Sequence, residues 1–142
     1  KKEIEAIAVD NELGYIYYSD ETAGVRKYYA DPEKGNEEIA FFAQNDAKRD
    51  HEGIAIYKKD EKTGYILVSN QQKNTFLVYK REGENNNPHE HKLIAEVPVS
   101  TIECDGAETY FIFTIGEQFN NGLTTILFNN QSSRIMFRHL YN

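Results

Sequence analysis

This chain repeats itself. Glu5-Ala-Ile-Ala-Val9 leads through Gly14-Tyr-Ile-Tyr-Tyr-Ser-Asp-Glu21 to Val25-Arg-Lys-Tyr28, and Glu52-Gly-Ile-Ala-Ile56 leads through Gly64-Tyr-Ile-Leu-Val-Ser-Asn-Gln71 to Phe76-Leu-Val-Tyr79. Glu5 and Glu52 are 47 residues apart. A fainter third copy opens at Asp105-Gly-Ala-Glu108, passes Gly122-Leu-Thr-Thr-Ile-Leu-Phe-Asn-Asn-Gln131 and closes on Arg134-Ile-Met-Phe137. A period of that length, carried by short alternating runs with turn residues between them, predicts stacked units of four antiparallel strands, the blades of a β-propeller.

Period-two alternation and turn punctuation place strands near 4–9, 14–19, 24–29, 37–42, 52–57, 64–69, 75–80, 91–97, 107–114, 122–128 and 133–139. Almost no segment offers a capped helical stripe. Gly14 and Gly64 each stand where a hairpin needs positive φ. The loops over 31–36 and 82–88 are expected to be the mobile outer turns before each fourth strand. The fold expected is therefore all-β, about three propeller blades with repeats near 1–47, 48–99 and 100–142, in one module over 1–142. Three blades leave sheet faces uncovered, so such a half-ring needs a partner: more of a longer polypeptide, a separate chain or a second copy. Lys1-Lys2 stands directly before a strand with no initiator Met, which suggests a processed protein or a fragment.

A formal charge of −7, from 23 acids against 16 bases, argues against a nucleic-acid partner. No apolar run approaches a membrane span, and no signal peptide is visible. The single Cys104 excludes an internal disulfide.

The repeats also align the unusual residues. Glu5, Glu52 and Asp105 each precede a small residue and a strand, and Ser19-Asp20-Glu21, Ser69-Asn70-Gln71 and Asn129-Asn130-Gln131 each follow the second strand of a copy. Acids at the mouth of successive inner strands would offer oxygen ligands to a hard cation such as Ca²⁺, with the second cluster lining the same rim. The plainer alternative is that these acids accept backbone hydrogen bonds in a tight turn. Other polar residues are expected to be unexceptional. His89-Glu-His91 reads as an exposed loop, Arg26, Lys27 and Lys73 as solvated strand or turn residues, and Cys104 as a small buried filler.

His51-Glu-Gly-Ile-Ala-Ile-Tyr57, Lys62-Thr-Gly-Tyr-Ile-Leu-Val-Ser-Asn-Gln71 and Phe76-Leu-Val-Tyr-Lys-Arg81 resemble the β-propeller phytases, calcium-dependent enzymes that remove phosphates from inositol hexakisphosphate. The likeness extends back through Glu5-Ala-Ile-Ala-Val-Asp10 and forward to Cys104-Asp-Gly-Ala-Glu108, and corresponds to the C-terminal half of a six-bladed enzyme. The resemblance implies that Glu5, Glu52 and Gln71 are catalytic, channel-lining residues, and that Glu5, Asp20, Glu21, Glu52, Asp105 and Glu108 are calcium ligands. It implies Ca²⁺ as cofactor, an inositol phosphate as substrate, a bridging water as nucleophile and an extracytoplasmic location. This chain departs from the family at Ala6, where Gly is usual, and at the Asn129-Asn130-Gln131 rim. It also lacks the N-terminal half that supplies most phosphate-gripping cations, so by itself it is not expected to turn over phytate. The alternative from another class is a noncatalytic propeller scaffold that binds a protein or glycan.

Overall fold

The computed structural model describes residues 3–47, 51–73, 75–98, 128–129 and 135–136. These residues form two four-stranded antiparallel sheets and one short two-stranded pair. The first sheet runs β1 (Ile4–Asp10), β2 (Tyr15–Asp20), β3 (Gly24–Tyr29) and β4 (Ala40–Phe42); the second runs β5 (His51–Lys58), β6 (Gly64–Asn70), β7 (Thr75–Lys80) and β8 (Leu93–Pro98). Each is a simple meander, as a propeller blade requires. The expected strands correspond to these eight with small changes at the ends. The fourth is shorter than expected, because Glu37 and Glu38 are exposed and pairing of β4 with β3 begins only at Ala40. Of the third copy, β9 (Phe128–Asn129) pairs antiparallel with β10 (Ile135–Met136), while the strand expected over 107–114 lies outside the described residues.

The hairpin glycines act as anticipated, with φ of +71° at Gly14 and +156° at Gly64. At Gly64 a side chain would also collide with the carbonyl of Tyr57 on the paired strand.

The two sheets meet face to face. Tyr17, Val25, Phe42 and Ala43 of the first pack on Ile66, Val68, Leu77 and Tyr79 of the second, with Ile54 and Ile56 of β5 closing the layer. The alternation of β2, β3, β6 and β7 produces this directly, since every second residue of each strand falls on the shared face. A second apolar cluster, Leu67, Phe76, Val78 and Val97, lies on the opposite face of the second sheet.

Polar groups stitch the same junction. Arg81 is fully buried, and its Nε and Nη2 each donate to the carboxylate of Asp10 at 2.5 Å. Its Nη1 donates to the carbonyl of Asp60 at 3.0 Å, so the guanidinium spans both sheets. The Tyr79 hydroxyl donates to Asp46 Oδ2 at 2.9 Å, and the ring nitrogens of His51 lie 3.0 Å from the carbonyl of Glu21 and 2.7 Å from that of Ala43. Burial pushes the Asp10 carboxyl up, but the hydrogen bonds from Arg81 and the Leu13 amide outweigh it and hold the group below its ordinary 3.8.

Removing one member of a buried ion pair leaves the other charge without compensation. Arg81→Met is expected to lower the unfolding free energy by about 3–5 kcal/mol in urea melts, and Asp10→Leu added to it to recover part of the loss. Because the folded Asp10 titrates below its unfolded value, its stabilisation is complete above the ordinary 3.8 and is lost as pH falls through the folded value. The stability difference between the native chain and the double variant should therefore shrink on acidification.

Candidate functional site

The same irregularity occurs at the start of both sheets. Ile4 lies opposite Asp20 but Ile7 opposite Tyr18; His51 lies opposite Asn70 but Ile54 opposite Val68. In each case one strand carries an extra residue, a β-bulge that spans Glu5-Ala6 in β1 and Glu52-Gly53 in β5. Bulges turn a strand and re-aim its side chains, and they recur beside functional sites. The two acids singled out by the repeat thus occupy equivalent irregular positions at the same end of successive sheets. Glu5 is exposed and Glu52 half-buried.

The residues after β2 and β6 also match. Glu21 opens the 3-10 turn Glu21–Ala23, and Gln71 opens the 3-10 turn Gln71–Lys73. The turn at Glu21 holds the two sheets together: its amide donates to the carbonyl of Glu3 at 3.0 Å, and its carbonyl faces His51 Nδ1. The bulge of β1, the Glu21 turn and the first residues of β5 are consequently one connected corner of the molecule. Glu5, Glu21, Glu52 and Gln71 all lie at this end of the sheets, while Asp105 and Glu108 are outside the described residues.

Not every aligned residue lines the rim. Ser19 and Ser69 are buried, in contrast to the expectation that the Ser-Asp-Glu and Ser-Asn-Gln clusters face the rim as units. Ser19 serves the bulge instead: its Oγ accepts the Ala6 amide at 2.8 Å, a donor that the extra residue removes from the strand ladder. Asp20 is buried too, and its Oδ2 accepts from Arg26 Nε at 2.6 Å. Its counterpart Asn70 is fully buried and donates to Glu96 at 3.4 Å.

The basic residues correct the sequence reading at Lys27, His91 and Arg26. Lys27, expected to be solvated, is fully buried, with its Nζ donating to the carbonyl of Pro88 and lying 3.1 Å from His91 Nε2. His91, expected in an exposed loop, is itself buried, and its ring lies 4.6 Å from that of Phe42. The reason is the same for both: the neighbouring sheet covers them. Arg26 is mostly covered, held by Glu38 at 2.5 Å and by Asp20, and lies 4.0 Å above the Phe41 ring. The Glu38 hydrogen bond, assisted by Asp20, raises the Arg26 pKa further above its ordinary value. Lys73 is exposed, as anticipated, and pairs with Glu96.

A family model described as Phytase matches residues 1–133. This chain belongs to the phytase family. The 3-phytase of Bacillus subtilis (strain 168) is 31% identical over 83 residues, which are 57% of this chain and 22% of that protein. The stretch that matches this relative is thus about a fifth of the relative's length. Family membership and the pair of four-stranded meanders agree with the β-propeller phytase resemblance carried by the repeat motifs.

Among the described residues no three His, Cys, Asp or Glu side chains come together in a cluster that could hold a metal ion.

Two residues that join the sheets, His51 at this corner and Arg81 at the opposite end, escaped the repeat alignment because they differ between copies. His51 stands where the first copy has Ile4, and Arg81 where it has Ala30; Ala30 and Arg81 donate equivalent amide hydrogen bonds, to Gly14 and Gly64. A charged or polar residue at one copy's strand end, against an apolar one in the other, was the available signal.

Ser19→Ala strands the Ala6 amide in the bulge. The expected cost is about 1–3 kcal/mol by thermal or urea denaturation. Ser19→Thr, which keeps the hydroxyl, should lose less.

Proposed function

We propose that this chain is part of a calcium-dependent phosphomonoesterase that hydrolyses inositol phosphates, acting when further blades complete the propeller. The observation that carries this reading is the repeated bulge, which sets Glu5 and Glu52 at the same end of adjoining sheets beside the turns that begin with Glu21 and Gln71. Carboxylate and amide oxygens, with no sulfur among them, are a donor set for a hard cation of flexible geometry. Glu5, Glu21 and Glu52, which form no metal-holding cluster on their own, would each lend an oxygen to calcium sites completed by further blades, Gln71 would add a neutral oxygen, and Asp105 and Glu108 would extend the set from the third copy. Bound calcium supplies the positive charge without which a polyphosphorylated substrate would be repelled by a rim of acids. The protein's own part is to fix those oxygens. Ser19 holds the first bulge, and His51 binds the second sheet to the Glu21 turn.

The first sheet supports the need for more blades. Ile4, Ile7 and Val9 are 53%, 63% and 46% exposed, whereas Ile54 and Ile56, the counterparts of Ile7 and Val9, pack into the inter-sheet core. That open apolar face fits the back of a preceding blade, from a longer polypeptide or a complementary chain. Family likeness supports placement outside the cytoplasm, where calcium is abundant.

Calcium at about a hundredfold excess over its dissociation constant should raise the unfolding free energy by about 2.7 kcal/mol, read as an upward shift in Tm. Glu52→Gln should abolish the shift, read as the difference between the variant's own melts with and without calcium. Phosphate release from phytate is expected once the missing blades are joined to the chain, and to be lost with Glu52→Gln. A melt indifferent to calcium, with no phosphate released by the completed propeller, would favour a noncatalytic scaffold.

A further inference from the structure

The segment between β7 and β8 is more than a solvent loop. It turns tightly at Gly83, Asn85 and Asn86, all at positive φ, and then lies across the first sheet. The His89 ring stands edge-on to Tyr15 at 5.6 Å and to Tyr29 at 6.1 Å. Pro88 and His91 receive the amine of Lys27 from β3. A stretch expected to be mobile is thus a strap by which the second sheet grips the first.

The grip has an unusual chemistry. Lys27 is fully buried, 3.8 Å from the centroid of the Tyr15 ring, and among the described residues its hydrogen bonds go to a carbonyl and an imidazole, with none to a carboxylate. His91 Nδ1 lies 2.9 Å from the carbonyl of Lys80 and must donate to it, which leaves Nε2 as the acceptor for Lys27. The other facing groups do not neutralise the amine. From β1 the nearest charge is Asp10, already bound by Arg81; from β2 come the phenols Tyr15 and Tyr17; from the strap come His89 and, beyond it, Glu84 paired with Lys80.

We propose that Lys27 and His91 form a proton-operated clasp between the two sheets, firmest when both are neutral and released when both carry a proton. With the amine neutral, Lys27 still donates to Pro88 and His91, so every hydrogen bond survives without a buried charge. With one proton the ammonium keeps those bonds but bears the cost of burial. With two, an ammonium and an imidazolium face each other as donors with no acceptor between them, and the strap must lift to let water in.

Burial pulls the Lys27 amine from its ordinary 10.5 down to about 7. Burial, and then the neighbouring Lys27 charge, pull His91 from 6.5 to about 4. Both folded-state values lie below the unfolded ones, so the unfolded chain binds more protons and stability rises with pH, through Lys27 from about 7 to 10.5 and through His91 from about 4 to 6.5.

The test is an NMR titration of the intact chain, with labelled lysine and histidine side chains. The Lys27 amine should titrate near 7 in place of 10.5, and the cross-peaks from His89 to Tyr15 and Tyr29 should be lost as His91 takes its proton near 4. In Lys27→Met the cross-peaks should persist to lower pH and the rise in Tm above neutral pH should disappear. A Lys27 that titrates at its ordinary value would overturn the proposal, as would cross-peaks in the native chain that outlast the protonation of His91. Both of those readings come from the native protein, so they decide the matter even if Lys27→Met does not fold.

Discussion

A propeller blade is a sheet with two faces, and neither can be left to water. In this protein the junction between the first and second sheets meets that constraint, and the other features depend on it. Tyr17, Val25 and Phe42 supply one side, and Ile66, Val68, Leu77 and Tyr79 the other. Burying so much apolar surface would leave the polar strand ends stranded, and the junction resolves this by pairing them across the gap: Arg81 with Asp10, Tyr79 with Asp46, His51 with two carbonyls. Such directed contacts add little net energy when compared with an apolar filling, but they fix the one relative placement in which all are satisfied.

The two ends of this junction do different work. At one end lie the bulges and 3-10 turns that carry Glu5, Glu21, Glu52 and Gln71, joined between sheets by the His51 ring on the Glu21 carbonyl. At the other, the strap carries His89 and His91 onto the tyrosines and Lys27 of the first sheet.

Most of the fold was legible in the repeat. Strands β1 to β8 announced themselves through alternation and through Gly14 and Gly64, because those signals are local. The equivalence of Glu5 with Glu52 and of Glu21 with Gln71 was legible as well, since it follows from aligning two copies. The bulge that gives that equivalence a geometry was not, because it depends on the register of a partner strand. Burial of Lys27 and His91 was hidden for a stronger reason. The two lie 64 residues apart, and polarity says nothing about which neighbour will cover a side chain.

The exchange of Ile4 for His51 and of Ala30 for Arg81 means that the two blades, although copies in outline, are no longer interchangeable parts. The second carries donors that meet acceptors on the back of the first, whereas the first has Ile4 and Ala30 at the matching positions. Blade order is therefore written into the chain as a one-way set of matched ends. A shuffled or duplicated arrangement would bury a guanidinium with no carboxylate to meet it, so divergence between the copies has made this pair of blades directional.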